Sequence, residues 1–165
     1  RAINKVQPSY IRVEADELTY NFHIILRFEL EQAMLNGDLA AKDLPEAWNA
    51  KMDELLGVVP PTHSQGCLQD VHWTRPGFGY FPTYALGNLY GAQFFETAVA
   101  QTPAILDELN HGQTTHLLAW LRENIHQHGR KFTPGELVQR VTGQPLSHAA
   151  FMRYATNKFS DLYNL

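Results

Sequence analysis

The chain has 165 residues, 44% of them hydrophobic, with a net charge of −4 and a sequence pI near 6.0, which allows one domain with a core of ordinary size. Its Lys and Arg residues are scattered rather than banked on one face, which excludes a protein built to grip a phosphate backbone, so no nucleic-acid partner is expected. No run approaches the ~18 apolar residues of a membrane span, no leader peptide is recognisable, and the single cysteine, Cys67, has no internal partner, so the chain is expected in the reducing cytoplasm and off the membrane.

The opening Arg1-Ala2-Ile3-Asn4-Lys5-Val6 is helix-like and polar but has neither an initiator Met nor a cap residue, which predicts a cut made inside a longer protein. From Tyr10 to Asn36 the apolar residues Ile11, Ala15, Leu18, Phe22, Ile25, Leu26, Leu30 and Met34 recur at three- and four-residue steps, the pattern of an amphipathic helix that closes at Gly37. Pro45 announces a second helix through Trp48, Met52, Leu55 and Leu56 to a stop at Gly57, and the two are expected to form a hairpin. Val58 to Gly79, rich in Pro and Gly, reads as a long loop, and loops of that length in compact domains usually carry function.

Helical pattern resumes after Pro82 and runs to Pro103, with Gly87 and Gly91 on one face suggesting close approach of a neighbouring helix. Further helices are expected over Ala104 to Asn110, Thr115 to His128, Gly135 to Thr142 and His148 to Tyr163, with a capping box at Thr133-Pro134-Gly135-Glu136 and Ser147 capping the last. No period-two alternation bounded by hairpin turns is present, so the fold class is read as all-α.

Two places concentrate chemistry. Asp16, Tyr20, His23 and Arg27 step by four, three and four, with Arg12 one turn earlier. Such a stripe fits either a solvated helix face or a binding surface, and its Tyr and His keep the second reading open. In the loop, Gly66-Cys67-Leu68-Gln69-Asp70-Val71-His72-Trp73 and then Gly79-Tyr80-Phe81-Pro82-Thr83-Tyr84 gather a carboxylate, an imidazole, an indole and two phenols. They fit a pocket wall or a well-packed turn in which Trp73 and Phe78 fill a crevice. The eight histidines include no His-Glu-x-x-His pair, so no metal site is expected within this chain. Cys67 near His72 is read as a buried small residue rather than a nucleophile.

Ile11-Arg12-Val13-Glu14-Ala15-Asp16 resembles the Ile-Arg-x-x-Ala-Asp motif of the carboxypeptidase Taq family, and Gly66 to Trp73 matches its Gly-x-x-Gln-Asp-x-His-Trp motif at every fixed position. The segments Thr19 to Glu29 and Phe78 to Leu89 resemble the family too, so the likeness covers essentially the whole chain, as the C-terminal third of such an enzyme. The resemblance implies a helical, neurolysin-like zincin fold with a deep groove, zinc held by a His-Glu-x-x-His helix and a further glutamate upstream of this chain, and a homodimer. It implies hydrolysis of peptides that carry a free C-terminal carboxylate, with zinc polarising the scissile carbonyl and a glutamate acting as base.

On matching positions, Arg12 would pair with the substrate carboxylate, and His72 with Tyr84, or Tyr80 in its place, would donate to the oxyanion. Asp70 and Asp16 would orient those donors, while Gln69 and Trp73 complete the substrate-binding set. One departure is Thr74-Arg75-Pro76-Gly77, where small residues are expected and where Arg75 adds a cation at the rim. Lacking its metal ligands, the piece alone is expected to be inactive. The rival reading is a non-catalytic helical module that binds peptide without cutting it.

Overall fold

The computed structural model describes residues 2–165, so the reading of Arg1 lies outside the described residues. Among the described residues the regular structure is helical with no strand, and the all-α expectation holds. The chain gathers into two compact units, one ending at Ala85 and the other beginning at Leu86.

In the first unit, helix α1 spans Tyr20–Asn36 and helix α2 spans Leu44–Leu56 with proline in its first turn. The two form the expected hairpin around Leu26, Leu30, Trp48, Met52, Leu56 and Cys67. Both end on glycines with positive φ, 84° at Gly37 and 66° at Gly57, a conformation that a Cβ would strain.

Two features of α1 correct the sequence reading. It begins at Tyr20, not Tyr10, because Asp16 Oδ1 accepts the N–H groups of Leu18 and Thr19 at 3.0 Å each and holds the chain in a turn ahead of the helix. Before it, Arg12–Glu14 form a separate 3-10 turn. The helix also buries a face that only partly coincides with the one its apolar spacing marked, sharing Leu26 and Leu30 with it. His23, Ile24, Leu26, Arg27, Leu30 and Glu31 are inside, while Phe22 and Ile25 stand 42% and 40% exposed. Arg27 and Glu31 can face inward because the long loop supplies their partners, Asp70 for the first and Trp73 with Gly79 for the second.

That loop contains turns and one 3-10 turn at His72–Thr74. Gly66 packs against the Trp48 indole, where a Cβ would sit 3.5 Å from the ring, and at Gly77 a Cβ would come within 2.7 Å of the His72 carbonyl oxygen. Helix α3 follows at Pro82–Gln101.

In the second unit Ala98, Ile105 and Trp120 are buried with Phe94, Phe95, Leu117 and Leu121 around them. They bring the later part of α3 together with α4 (Ala104–Asn110) and α5 (Thr115–Asn124). Helix α5 stops at Asn124 instead of His128, since Ile125 leaves the helical region and His126–His128 form a 3-10 turn. Helix α6 (Pro134–Thr142) carries the predicted capping box, and α7 covers Ala149–Tyr163 with Ser147 Oγ accepting the Ala149 N–H at 3.1 Å. Buried Gln93 donates to Thr142 Oγ1 and the Pro145 carbonyl and accepts the Ser147 N–H, fixing the α6–α7 link. Gly87 and Gly91 do not mark a close approach: a Cβ at either would meet nothing within 4 Å, because the buried positions of α3 are Gln93 and Ala98.

Candidate functional site

The two motifs meet inside the first unit, residue against residue. Gln69 Oε1 accepts the backbone N–H of Arg12 at 2.8 Å, and its amide nitrogen donates to the Tyr10, Gln65 and Gly66 carbonyls. Next to it, Asp70 Oδ1 accepts from Arg12 Nε at 3.1 Å and Nη2 at 2.7 Å. Its other oxygen accepts from Arg27 Nε at 2.7 Å, with Arg27 Nη2 2.6 Å away. Arg27 also donates to the His23 carbonyl from Nη1 at 2.7 Å. Two guanidinium groups thus converge on one carboxylate, leaving this ion-paired cluster one positive charge in excess.

Aromatic faces line the cluster. Arg27 lies 4.5 Å from the Trp48 ring centroid and Arg12 lies 4.9 Å from that of Tyr84, while Phe81 faces both at 5.4 and 5.8 Å. Such contacts favour cations in a partly dry site.

Burial sets the protonation of these groups. For Arg12 burial opposes the charge, but the hydrogen bonds and attraction of Asp70, with Tyr20 adding to them, hold its pKa above the ordinary arginine value. Burial likewise disfavours the Asp70 carboxylate, and the Arg12 bonds with the attraction of Arg27 still hold its pKa below the usual range. Arg27, fully inaccessible, is lowered to about 10 by desolvation despite Asp70 and stays charged at neutral pH. His23 is lowered to about 4 by burial and then by the two arginines. It is therefore neutral, and neither ring nitrogen has a hydrogen-bond partner within the chain.

Arg12 uses three of the five guanidinium N–H groups inside the chain, two on Asp70 and one on the Tyr20 hydroxyl at 3.0 Å, which leaves two unspent. Beside it, His72 Nε2 and the Tyr84 hydroxyl share a hydrogen bond of 3.1 Å. The His72 ring stacks on Tyr80 at 5.7 Å and lies 4.2 Å from the Phe81 ring. His72 Nδ1 is 3.9 Å from Asp70 Oδ1, too long for a hydrogen bond. Tyr80 is the most open of the three, 52% exposed.

The remaining sequence-selected residues are engaged within the chain. Asp16 accepts from the backbone N–H groups of Gln7, Leu18 and Thr19 and from the Thr19 hydroxyl, so its oxygens serve the start of α1. Trp73 donates its indole N–H to Glu31 at 2.9 Å and stacks on Phe78. Cys67 is a buried member of the core whose thiol is pushed up by burial, the inert role expected of it.

Arg27, His23 and Glu31 were not selected as site residues. The first two lay in the polar stripe, and Glu31 continues it by one more four-residue step, which is the signal that could have found it. Among the described residues no three His, Cys, Asp or Glu side chains come together as a metal-holding group, so the donor set here does not fit a zinc ion.

A family model described as carboxypeptidase Taq (M32) metallopeptidase matches residues 1–159. The chain is 49% identical over 162 residues to thermostable carboxypeptidase 1 of Thermus thermophilus, covering 98% of this chain and 32% of that protein. It is 44% identical over 165 residues to carboxypeptidase 1 of Bacillus subtilis, covering 100% of this chain and 33% of that one. The crystal structure of the M32 carboxypeptidase from Deinococcus radiodurans superposes with a TM-score of 0.96 at 46% identity, over 100% of this chain and 33% of that chain. The chain therefore spans about a third of the length of these relatives. With both motifs docked on one another, a fold shared with an M32 enzyme and a family match along nearly its whole length, this chain belongs to the carboxypeptidase Taq (M32) metallopeptidase family.

Proposed function

We propose that this chain is the carboxylate- and oxyanion-binding part of a zinc metallocarboxypeptidase that removes C-terminal residues from peptides. The observation that carries the reading is Arg12: a buried guanidinium held still by Asp70 and Tyr20, in a cluster with excess positive charge, with two N–H groups unspent. A peptide α-carboxylate supplies the missing negative charge and accepts both remaining donors. With His72 Nε2–H donating to the Tyr84 oxygen at 3.1 Å, the Tyr84 hydroxyl, with Tyr80 at the rim, donates to the oxygen that gains charge during hydrolysis. Asp70 holds Arg12, and Gln69 holds the Arg12 backbone. Trp73 and Asp16 support the loop and the helix start from which these groups project.

Zinc, when bound, supplies activated water and a Lewis acid. Its ligands come from polypeptide outside this chain, whose own residues bind and orient the peptide end. The chain alone accordingly turns over no peptide. The family likeness extends the proposal to a homodimer, and the lone Cys67 favours the cytoplasm. The absence of a metal-holding group among the described residues leaves one rival, a module that binds free-carboxylate peptides and never cuts them.

Steady-state kinetics on the intact protein test the reading. Arg12→Ala, with Arg12→Lys beside it, should raise KM for free-carboxylate peptides about 10- to 100-fold, the worth of a charge-assisted bidentate bond, and spare C-terminally amidated ones. Equal losses on both substrate types refute the assignment. Tight peptide binding without any hydrolysis by the zinc-loaded wild type establishes the rival.

A further inference from the structure

Glu31 is a carboxylate 2% exposed, yet among the described residues it forms no ion pair. Its two oxygens are met instead by two N–H donors from the long loop. Oε1 accepts from Trp73 Nε1 at 2.9 Å and Oε2 from the Gly79 backbone N–H at 3.1 Å. One rigid group on α1 therefore holds both ends of the segment 73–79. The segment is folded tightly between those ends, for the Gly77 N–H reaches the Arg75 carbonyl at 2.7 Å and a Cβ at Gly77 would collide with the His72 carbonyl.

The residues just outside the two held positions are His72 and Tyr80, whose rings stack at 5.7 Å, and His72 in turn meets the Tyr84 hydroxyl. Holding 73 against 79 thereby sets the spacing of 72 and 80. Arg12 leans on that set only through the face of the Tyr84 ring, 4.9 Å from its guanidinium, and its hydrogen bonds do not depend on it. Its partners are Asp70, Tyr20 and Gln69, none of them within 73–79.

We propose that Glu31 is a positioning residue for the His72, Tyr80 and Tyr84 donor set, acting through the loop, so that it governs the rate of peptide hydrolysis and leaves recognition of the substrate carboxylate to Arg12. The proposal rests on the functional reading above and adds a residue to it. Glu31→Gln is the sharpest probe because it keeps the size of the side chain. Its amide has one acceptor and one NH2 group, so either Trp73 Nε1–H or the Gly79 N–H must face another donor.

In the intact zinc-loaded protein, Glu31→Gln is expected to speed amide hydrogen exchange across 77–80. It should also lower kcat about 10- to 100-fold while KM for free-carboxylate peptides stays within about twofold, since a misplacement near 1 Å costs about that much in rate. This is the opposite split to that of Arg12→Ala. Glu31→Asp, which keeps two acceptors on a shorter stem, should recover part of the rate. Trp73→Phe, which removes one of the two donors and keeps an aromatic ring, should show the same split more weakly, and it carries the test if Glu31→Gln does not fold.

Unchanged exchange across 77–80 overturns the clamp. Faster exchange with kcat unchanged, or with kcat and 1/KM falling together, overturns the positioning role. A wild-type protein that cuts no peptide sinks the functional reading instead, and the exchange measurement then still decides whether Glu31 ties position 73 to position 79.

Discussion

Asp70 is a carboxylate asked to neutralise two guanidinium groups, and His23 beside them remains uncharged with both nitrogens unpartnered. The two respond to acid in different windows. Asp70 has a folded pKa below its ordinary value of 3.8, so the stability it adds is complete above that pH and fades only as pH falls further through the folded value. His23 is lowered from 6.5 to about 4. Between those values the unfolded chain takes up a proton that the folded one refuses, so stability falls as pH falls from about 6.5 towards 4. The loss should approach about 3 kcal/mol, from roughly 1.4 kcal/mol per pH unit of displacement. Denaturant titrations between pH 7 and 4 should show this slope in the wild type and a much flatter one in His23→Leu; equal slopes would remove His23 as the cause. None of this was readable from spacing, which placed His23 and Arg27 on a stripe without saying whether the stripe faced water or Asp70.

Helix α1 owes its start to one side chain. Asp16 gathers three backbone N–H groups and the Thr19 hydroxyl, and its burial is outweighed by these bonds, which hold its carboxyl below the usual range. Asp16→Ala should destabilise the protein by about 0.5–2 kcal/mol, the usual worth of a side chain that satisfies backbone N–H groups as a helix cap does. It should also loosen Tyr20 from Arg12 by fraying the turn in which Tyr20 sits, visible as faster amide exchange over 18–22. A loss confined to global stability, with exchange there unchanged, would deny Asp16 that local role. The apolar step of Ile11, Ala15 and Leu18 runs on through the aspartate, so spacing alone predicts a helix across it. Periodicity reports which residues prefer burial and is blind to a side chain that satisfies the backbone differently. Where cap chemistry stood clear of competing signals, at Thr133 to Glu136 and at Gly37 and Gly57, sequence and structure agree.

Taken whole, the chain covers about a third of the relatives that it matches. None of its described helices is long and apolar enough to cross a membrane. Phe22, Ile25 and Phe28 are exposed at three-residue steps on α1, each 40% or more, an arrangement that seeks cover in water. The isolated polypeptide should therefore elute in light-scattering chromatography above its 18.8 kDa mass. A clean monomer at all concentrations would mean that this face tolerates solvent.

Sequence alone determined the helical class, most helix ends, the two motifs and their family, since these depend on local preferences and on residues in fixed order. It left open which way the polar stripe faced, which donors were already spent and that Glu31 mattered at all. Those were decided by contacts between residues forty or more positions apart, such as Arg27 with Asp70 and Glu31 with Trp73 and Gly79. A buried charge survives only where the fold delivers its partner, and that delivery exists nowhere but in the tertiary structure.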